Sequence, residues 1–208
     1  MFLEAIENFL KVLGLSSDNQ MVQFFSKSFS VSPLTVMIIA QASGIVGLFI
    51  VVASFQCKNN RKFFLAQGTG SAFFFLNFIL IGAFGGAFFN LANLLRGLLF
   101  SKNARKTWKL VVVNAAYVLC FGLSVYLNPN PWQIFVVAVP CASLLAMSVF
   151  MWFGNDKKIR IFQISAVSPT WIFHNIINLS VGGIVCECFN MVSSAIYLIR
   201  NRNKKDKK

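Results

Sequence analysis

"WIFHNIINLSVGGIVCECFNMVSSAIYLIR", residues 171–200, decides how this chain is read. The stretch is almost wholly apolar, yet it holds the chain's single histidine, His174, and an acid, Glu187. Two long apolar segments meet inside it, at residues 180–183. Ionisable side chains are expensive in hydrocarbon, so within such segments they face an interior cavity or a partner. Residues 61–102 have the same layout. The pattern predicts two copies of one membrane unit, with a polar site where they meet.

Working outward, 57% of the 208 residues are hydrophobic and the mean hydropathy is +0.68. Soluble domains average about 45–50% apolar residues. The excess lies in runs long enough to cross a hydrocarbon core of about 30 Å at about 1.5 Å per residue. Seven spans are expected, over residues 34–55, 63–82, 85–100, 108–127, 132–153, 159–180 and 182–200. The fold class is therefore an all-α polytopic membrane protein. The turns at 82–86 and 180–183 are tight, which pairs spans two and three, and six and seven, as hairpins. Residues 1–32 form no span; Phe2, Leu3, Ile6, Phe9, Leu10 and Leu13 predict a short amphipathic helix on the bilayer surface.

Net charge is +13, which in a soluble chain would suggest nucleic acid. Here sixteen of the nineteen basic residues lie in the loops after spans one, three and five and after span seven. Lys58, Arg61, Lys62, Lys102, Arg105, Lys106, Lys109, Lys157, Lys158 and Arg160 fill the loops, and the tail begins at Arg200. The opposite loops carry no charge. An odd number of spans with the N-terminus outside and the C-terminus in the cytoplasm places every basic loop on one side. No folded polar surface presents these charges to nucleic acid. The partners expected are the bilayer and a small polar solute; a homo-oligomer is compatible with the sequence.

Shifting the first half by 97 residues overlays it on the second without a gap. Arg61 falls on Lys158, Ser71 on Ser168 and Asn77 on His174. Gly85-Gly86 falls on Gly182-Gly183, Asn90 on Glu187 and Asn93 on Asn190. Each copy has three spans, at residues 33–101 and 131–200, and residues 102–130 supply a linker helix. Three spans plus one linker give both copies the same orientation, so the expected architecture is two parallel three-helix repeats in a 3+1+3 order. Residues 201–208 are a basic cytoplasmic tail. Parallel repeats about an axis along the membrane normal are one transporter design.

The candidate solute-binding residues follow from this overlay. Asn90, Asn93 and Arg96 recur every three residues and share a helix face, as do Glu187, Asn190 and Ser193. His174, Asn175 and Asn77 lie on the paired spans, with Trp171 one turn before His174. Glu187 and His174 stand either side of the outer turn, where they could touch and form a titratable pair. Each residue also has a plainer reading: Asn as hydrogen-bonding glue between helices, Arg96 as a side chain snorkelling to the interface, Trp171 and Trp132 as interfacial anchors. Pro140 and Pro169 each remove a backbone donor and predict kinks in spans five and six.

The five cysteines are scattered and define no disulfide framework. Cys186 and Cys188 project to different helix faces, so with His174 they make no metal site. There is no HExxH, GxSxG or Walker signature. The chain reads as a non-enzyme with no cofactor.

"AQASG" in span one, "RKFFLAQ" entering span two, "NLANLLRGLL" in span three, and the "WIFHN…SVGG…E…N" order at the end resemble the bacterial inner-membrane YgjV family. The likeness runs from about Ala40 to Arg202 and implies an inner-membrane location. The layout is similar to that of the SWEET, PQ-loop and nicotinamide-riboside-transporter group. That resemblance implies a carrier of a sugar, nucleoside or vitamin-like solute, facilitative or proton-coupled, with Asn93 and Asn190 where SWEET proteins place pocket asparagines. The PQ dipeptide is absent. The competing expectation is a structural or sensory membrane protein that moves nothing.

Overall fold

The computed structural model describes residues 20–54, 57, 60–102, 106–154 and 156–202, and among them every regular element is helical. The expected surface helix over residues 2–13, the loop residues Lys58 and Arg105, and the tail beyond 202 lie outside the described residues. In chain order the helices are α1 (Gln20–Phe29), α2 (Pro33–Ser54), α3 (Asn60–Leu80), α4 (Phe84–Phe100), α5 (Thr107–Leu127), α6 (Pro131–Phe153), α7 (Asp156–Phe162), α8 (Ser168–Ile177) and α9 (Val181–Arg202). A π-helical turn, Gln163–Val167, joins α7 to α8.

Among the described residues, five segments are long and apolar enough to cross a membrane: Pro33–Ser54, Arg61–Leu80, Thr107–Leu127, Pro131–Phe153 and Val181–Arg200. Helix α4 is also apolar but has 17 residues, a rise of about 25 Å. The expected sixth span changes its winding part-way, through the π turn. Pro169 sits in the first turn of α8, where its missing N–H costs least. Pro140 lies inside α6 and is buried. Helix α1 was not foreseen, although Val22, Phe25, Ser26 and Phe29 recur at helical spacing; Val22 and Ser26 are its buried pair, and it packs on α2 and α3.

The sorting of side chains is that of a bundle in lipid. Ile38, Phe49, Leu91, Val118, Leu119, Phe189 and Ile199 are exposed, while Asn77, Asn90, His174, Asn175, Ser168, Ser180 and Ser194 are buried. Lipid offers no hydrophobic force between helices, so polar contacts and close packing of small residues hold them. Asn77 does the former. Its Nδ2 donates to the Ala40 carbonyl at 2.7 Å, and its Oδ1 accepts from the Ser180 hydroxyl at 2.8 Å. One amide thereby ties α2, α3 and the turn before α9.

The two tight turns are copies of each other at an offset of 97. The N–H of Ala83 bonds the carbonyl of Phe78 at 2.9 Å, and that of Ser180 bonds Asn175 at 3.0 Å. Gly82 bonds Ile79, and Leu179 bonds Ile176, both at 3.2 Å. Gly82 and Leu179 share a left-handed backbone, with φ of 76° and 54°. This is the six-to-one closure of a Schellman-type helix end, which favours glycine. Leu179 holds the same conformation while packing against the core. A side chain at residue 82 meets the left-handed penalty of about 1–2 kcal/mol without that compensation. Gly82→Ala is therefore expected to destabilise by about 1 kcal/mol, read as an earlier midpoint in an unfolding titration in mixed micelles.

Helix packing has a similar pattern before and after α5. Within the first half α3 packs on α2 and α4; within the second, the α7–α8 segment packs on α6 and α9; α5 packs on α4 and α6. The halves meet through α2 against α9 and α4 against α6. Glycines set these two contacts. A methyl group at Gly182 would lie 2.8 Å from the Gly44 carbonyl carbon, and one at Gly85 would lie 2.6 Å from Val137.

Candidate functional site

A cavity of about 270 Å³ lies between the halves. Helices α3 and α4 line it from one side, α6, the α7–α8 segment and α9 from the other. Of the nine candidate residues, Asn90, Asn93, Arg96, Trp171, Asn175, Glu187 and Asn190 line it together. The cavity starts at Phe78, Trp171, Asn175 and Gly183 and runs to Cys57, Phe63, Ile159 and Arg160. It thus reaches the helix ends that carry Arg61, Lys62, Lys157 and Lys158.

The other two candidates stand elsewhere. Asn77 is fully buried in the helix-joining contact described above. His174 lines a separate cavity of about 80 Å³ at the opposite helix ends, with Gly82, Val137 and Asn178. The expected contact between His174 and Glu187 is not made. Gly183 of α9 closes onto Asn175, so closely that an added methyl would sit 2.7 Å from its amide. His174 is one residue away, about 100° round the helix, and faces Gly86 of α4 instead.

Between the two cavities stands an aromatic partition. Phe78 packs on Trp171 at 6.2 Å and on His174 at 5.6 Å; Trp171 packs on His174 at 5.3 Å and on Phe89 at 6.4 Å. His174 Nδ1 and Asn175 Oδ1 are buried here and make no well-formed hydrogen bond. Trp171 is 6% exposed, so it belongs to this partition and not to an interfacial belt.

Glu187 is held by the π turn. The Ser168 hydroxyl donates to its Oε2 at 2.7 Å, and Gln163 Nε2 lies 3.4 Å from the same oxygen and 2.9 Å from the Ser168 hydroxyl. Residues five apart diverge on an α-helix, but a π turn bonds residue i to i+5 and stacks them. The Ser168 N–H duly bonds the Gln163 carbonyl. In the first half the equivalent pair, Gln67 and Ser71, is four apart, and the Ser71 hydroxyl bonds the Gln67 carbonyl at 3.0 Å. The π turn is one extra residue. The offset is 96 before it, from Asn60 to Asp156 at the helix starts, and 97 after it. The ungapped overlay expected from the sequence therefore holds only beyond Ser168.

The amides around Glu187 are partly committed. Asn93 Oδ1 accepts from Tyr117 of α5 at 2.6 Å, and Asn90 Nδ2 donates to the Gly86 carbonyl at 2.9 Å. Arg96 Nη1 is buried and without a partner. Sequence reasoning missed Tyr117 and Gln163. Tyr117 lies on the helix read as a mere linker, though Val113 and Tyr117 mark its one buried stripe. Gln163 was hidden because its partnership with Ser168 depends on the winding of the helix.

The Imp-YgjV family model, described as bacterial inner membrane protein, matches residues 38–205. The searches of curated proteins and of solved structures find no match. The match spans the helices that build both cavities and all nine candidate residues, and the chain belongs to the Imp-YgjV family of bacterial inner membrane proteins.

Proposed function

We propose that this protein carries a small polar solute across the inner membrane, as two parallel three-helix units joined by α5, seven spans in all. One observation bears the most weight. A polar cavity shared by the two halves runs to one set of helix ends, and an aromatic partition separates it from the other set. A carrier needs such a site, reachable from one side at a time. The duplicated turns and the paired contacts of α2 with α9 and α4 with α6 support the repeat. The helix α4 and the composite α7–α8 segment are its two remaining spans.

The cavity faces the cytoplasm in this reading, because its ends carry the basic residues that stay inside. Its volume of about 270 Å³ sits at the lower edge of small-molecule sites, which run from about 300 Å³ upward. The solute is accordingly no larger than a monosaccharide or a nucleoside. Coupling to protons through a His174–Glu187 pair has no geometric support, since the two line different cavities.

Proteoliposomes containing the purified protein test the proposal with radiolabelled sugars, nucleosides and vitamins. At least one is expected to enter faster than into protein-free vesicles, and to show counterflow against preloaded unlabelled solute. Entry of the whole panel at the protein-free rate defeats the carrier reading.

A further inference from the structure

We propose that the solute carries a carboxylate and that Arg96 binds it. This deepens the transport reading and rests on it. The starting point is a guanidinium nitrogen without a partner. Arg96 lines the cavity from α4, and its Nη1 is shielded from solvent and makes no hydrogen bond. A guanidinium does not lose its proton in a protein, so it meets burial by pairing with an anion and not by becoming neutral.

The cavity does not supply that anion. Glu187 is the one acid among its lining residues, and the Ser168 hydroxyl and Gln163 amide already converge on its Oε2. Arg160, a second cation on the lining, sits over the Tyr197 ring at 5.3 Å. Packing does not demand the arginine either. At the offset of 97 the position of Arg96 in the second half is Ser193, on a helix of the same kind. The planar fork of a guanidinium matches a carboxylate through two parallel hydrogen bonds. Asn93 and Asn190, also on the lining, suit the hydroxyl or carbonyl groups of the same molecule. Basic helix ends around the mouth raise the local concentration of anions.

Matched acid and neutral probes test this on the full-length protein: D-glucuronate with D-glucose, and nicotinate with nicotinamide. Binding is read by thermal shift in detergent, and uptake in proteoliposomes with the membrane potential clamped. In at least one pair the acid is expected to bind or enter at least about tenfold better than its neutral partner. Arg96→Gln is expected to bring that ratio to about one, and Arg96→Lys, which keeps the charge and loses the fork, to an intermediate value. Acid-selective binding without uptake removes the transport reading and leaves the carboxylate site standing. Neutral probes favoured, a preference unchanged in Arg96→Gln, or no probe bound at all overturns the proposal. Should Arg96→Gln not fold, the wild-type preference and the Arg96→Lys ratio still decide.

Discussion

Gly182→Leu is expected to leave almost no folded protein. The side chain would start 2.8 Å from the carbonyl carbon of Gly44, and 3.0 Å from its oxygen. These are backbone atoms of α2, so no rotamer change relieves the clash. Overpacking typically costs about 1–3 kcal/mol and more where the neighbour is rigid; here it falls on the contact that joins the two halves. Pushing α9 away also breaks the Asn77–Ser180 bond, which ties α3 to the turn before α9. The expected loss is at least about 3 kcal/mol, visible as aggregation or a void-volume peak in size-exclusion chromatography. Gly122, with nothing within 4 Å of an added methyl, is the control; Gly122→Leu should elute as the parent does. A monodisperse Gly182→Leu would mean that α2 and α9 are not held together as described.

In the transport reading Glu187→Gln has the second large effect, and it falls on flux. The substituted amide keeps the size of the side chain and still accepts from the Ser168 hydroxyl, so the bundle should survive. What disappears is a carboxyl group on the cavity lining. A hydrogen bond from a solute hydroxyl to such a group is worth about 1.5–3 kcal/mol, and each 1.4 kcal/mol is about tenfold in an equilibrium constant. Flux is expected to drop by roughly ten- to a hundredfold at an unchanged melting temperature. The structural or sensory reading expects the reverse, in which Glu187→Gln loses folded protein. Melting and uptake measured on one preparation separate them.

The membrane character was legible because length and apolarity are properties of each segment alone. Among the described residues five segments have the length and composition to cross a membrane unaided, and tight turns form around Gly82 and Leu179, beside the glycine pairs that mark them in the sequence. Seven of the nine candidate residues came together because helical spacing fixes which side chains share a face. Legibility failed where a second helix decided the orientation. His174 and Asn175 are neighbours in the chain, yet the closeness of Gly183 turns one toward the large cavity and the other away. Asn77 looked like a solute contact, but its two bonds are both within the protein, and only the fold shows which carbonyl and hydroxyl it meets. Tyr117 was invisible because a linker helix was expected to contribute nothing.

The surplus residue wound into Gln163–Val167 also says how two identical walls come to differ. A duplicated gene begins with interchangeable halves, and interchangeable halves line a cavity with the same chemistry twice. One more residue in a helix breaks that equality locally: the helix takes it up as one wide turn, and the hairpin beyond keeps its form. The cost to the scaffold is small, and one wall gains a clasp for a carboxylate that its twin cannot build from Gln67 and Ser71. Winding and residue type act together here, since Asn90 holds the place of Glu187 in the other wall.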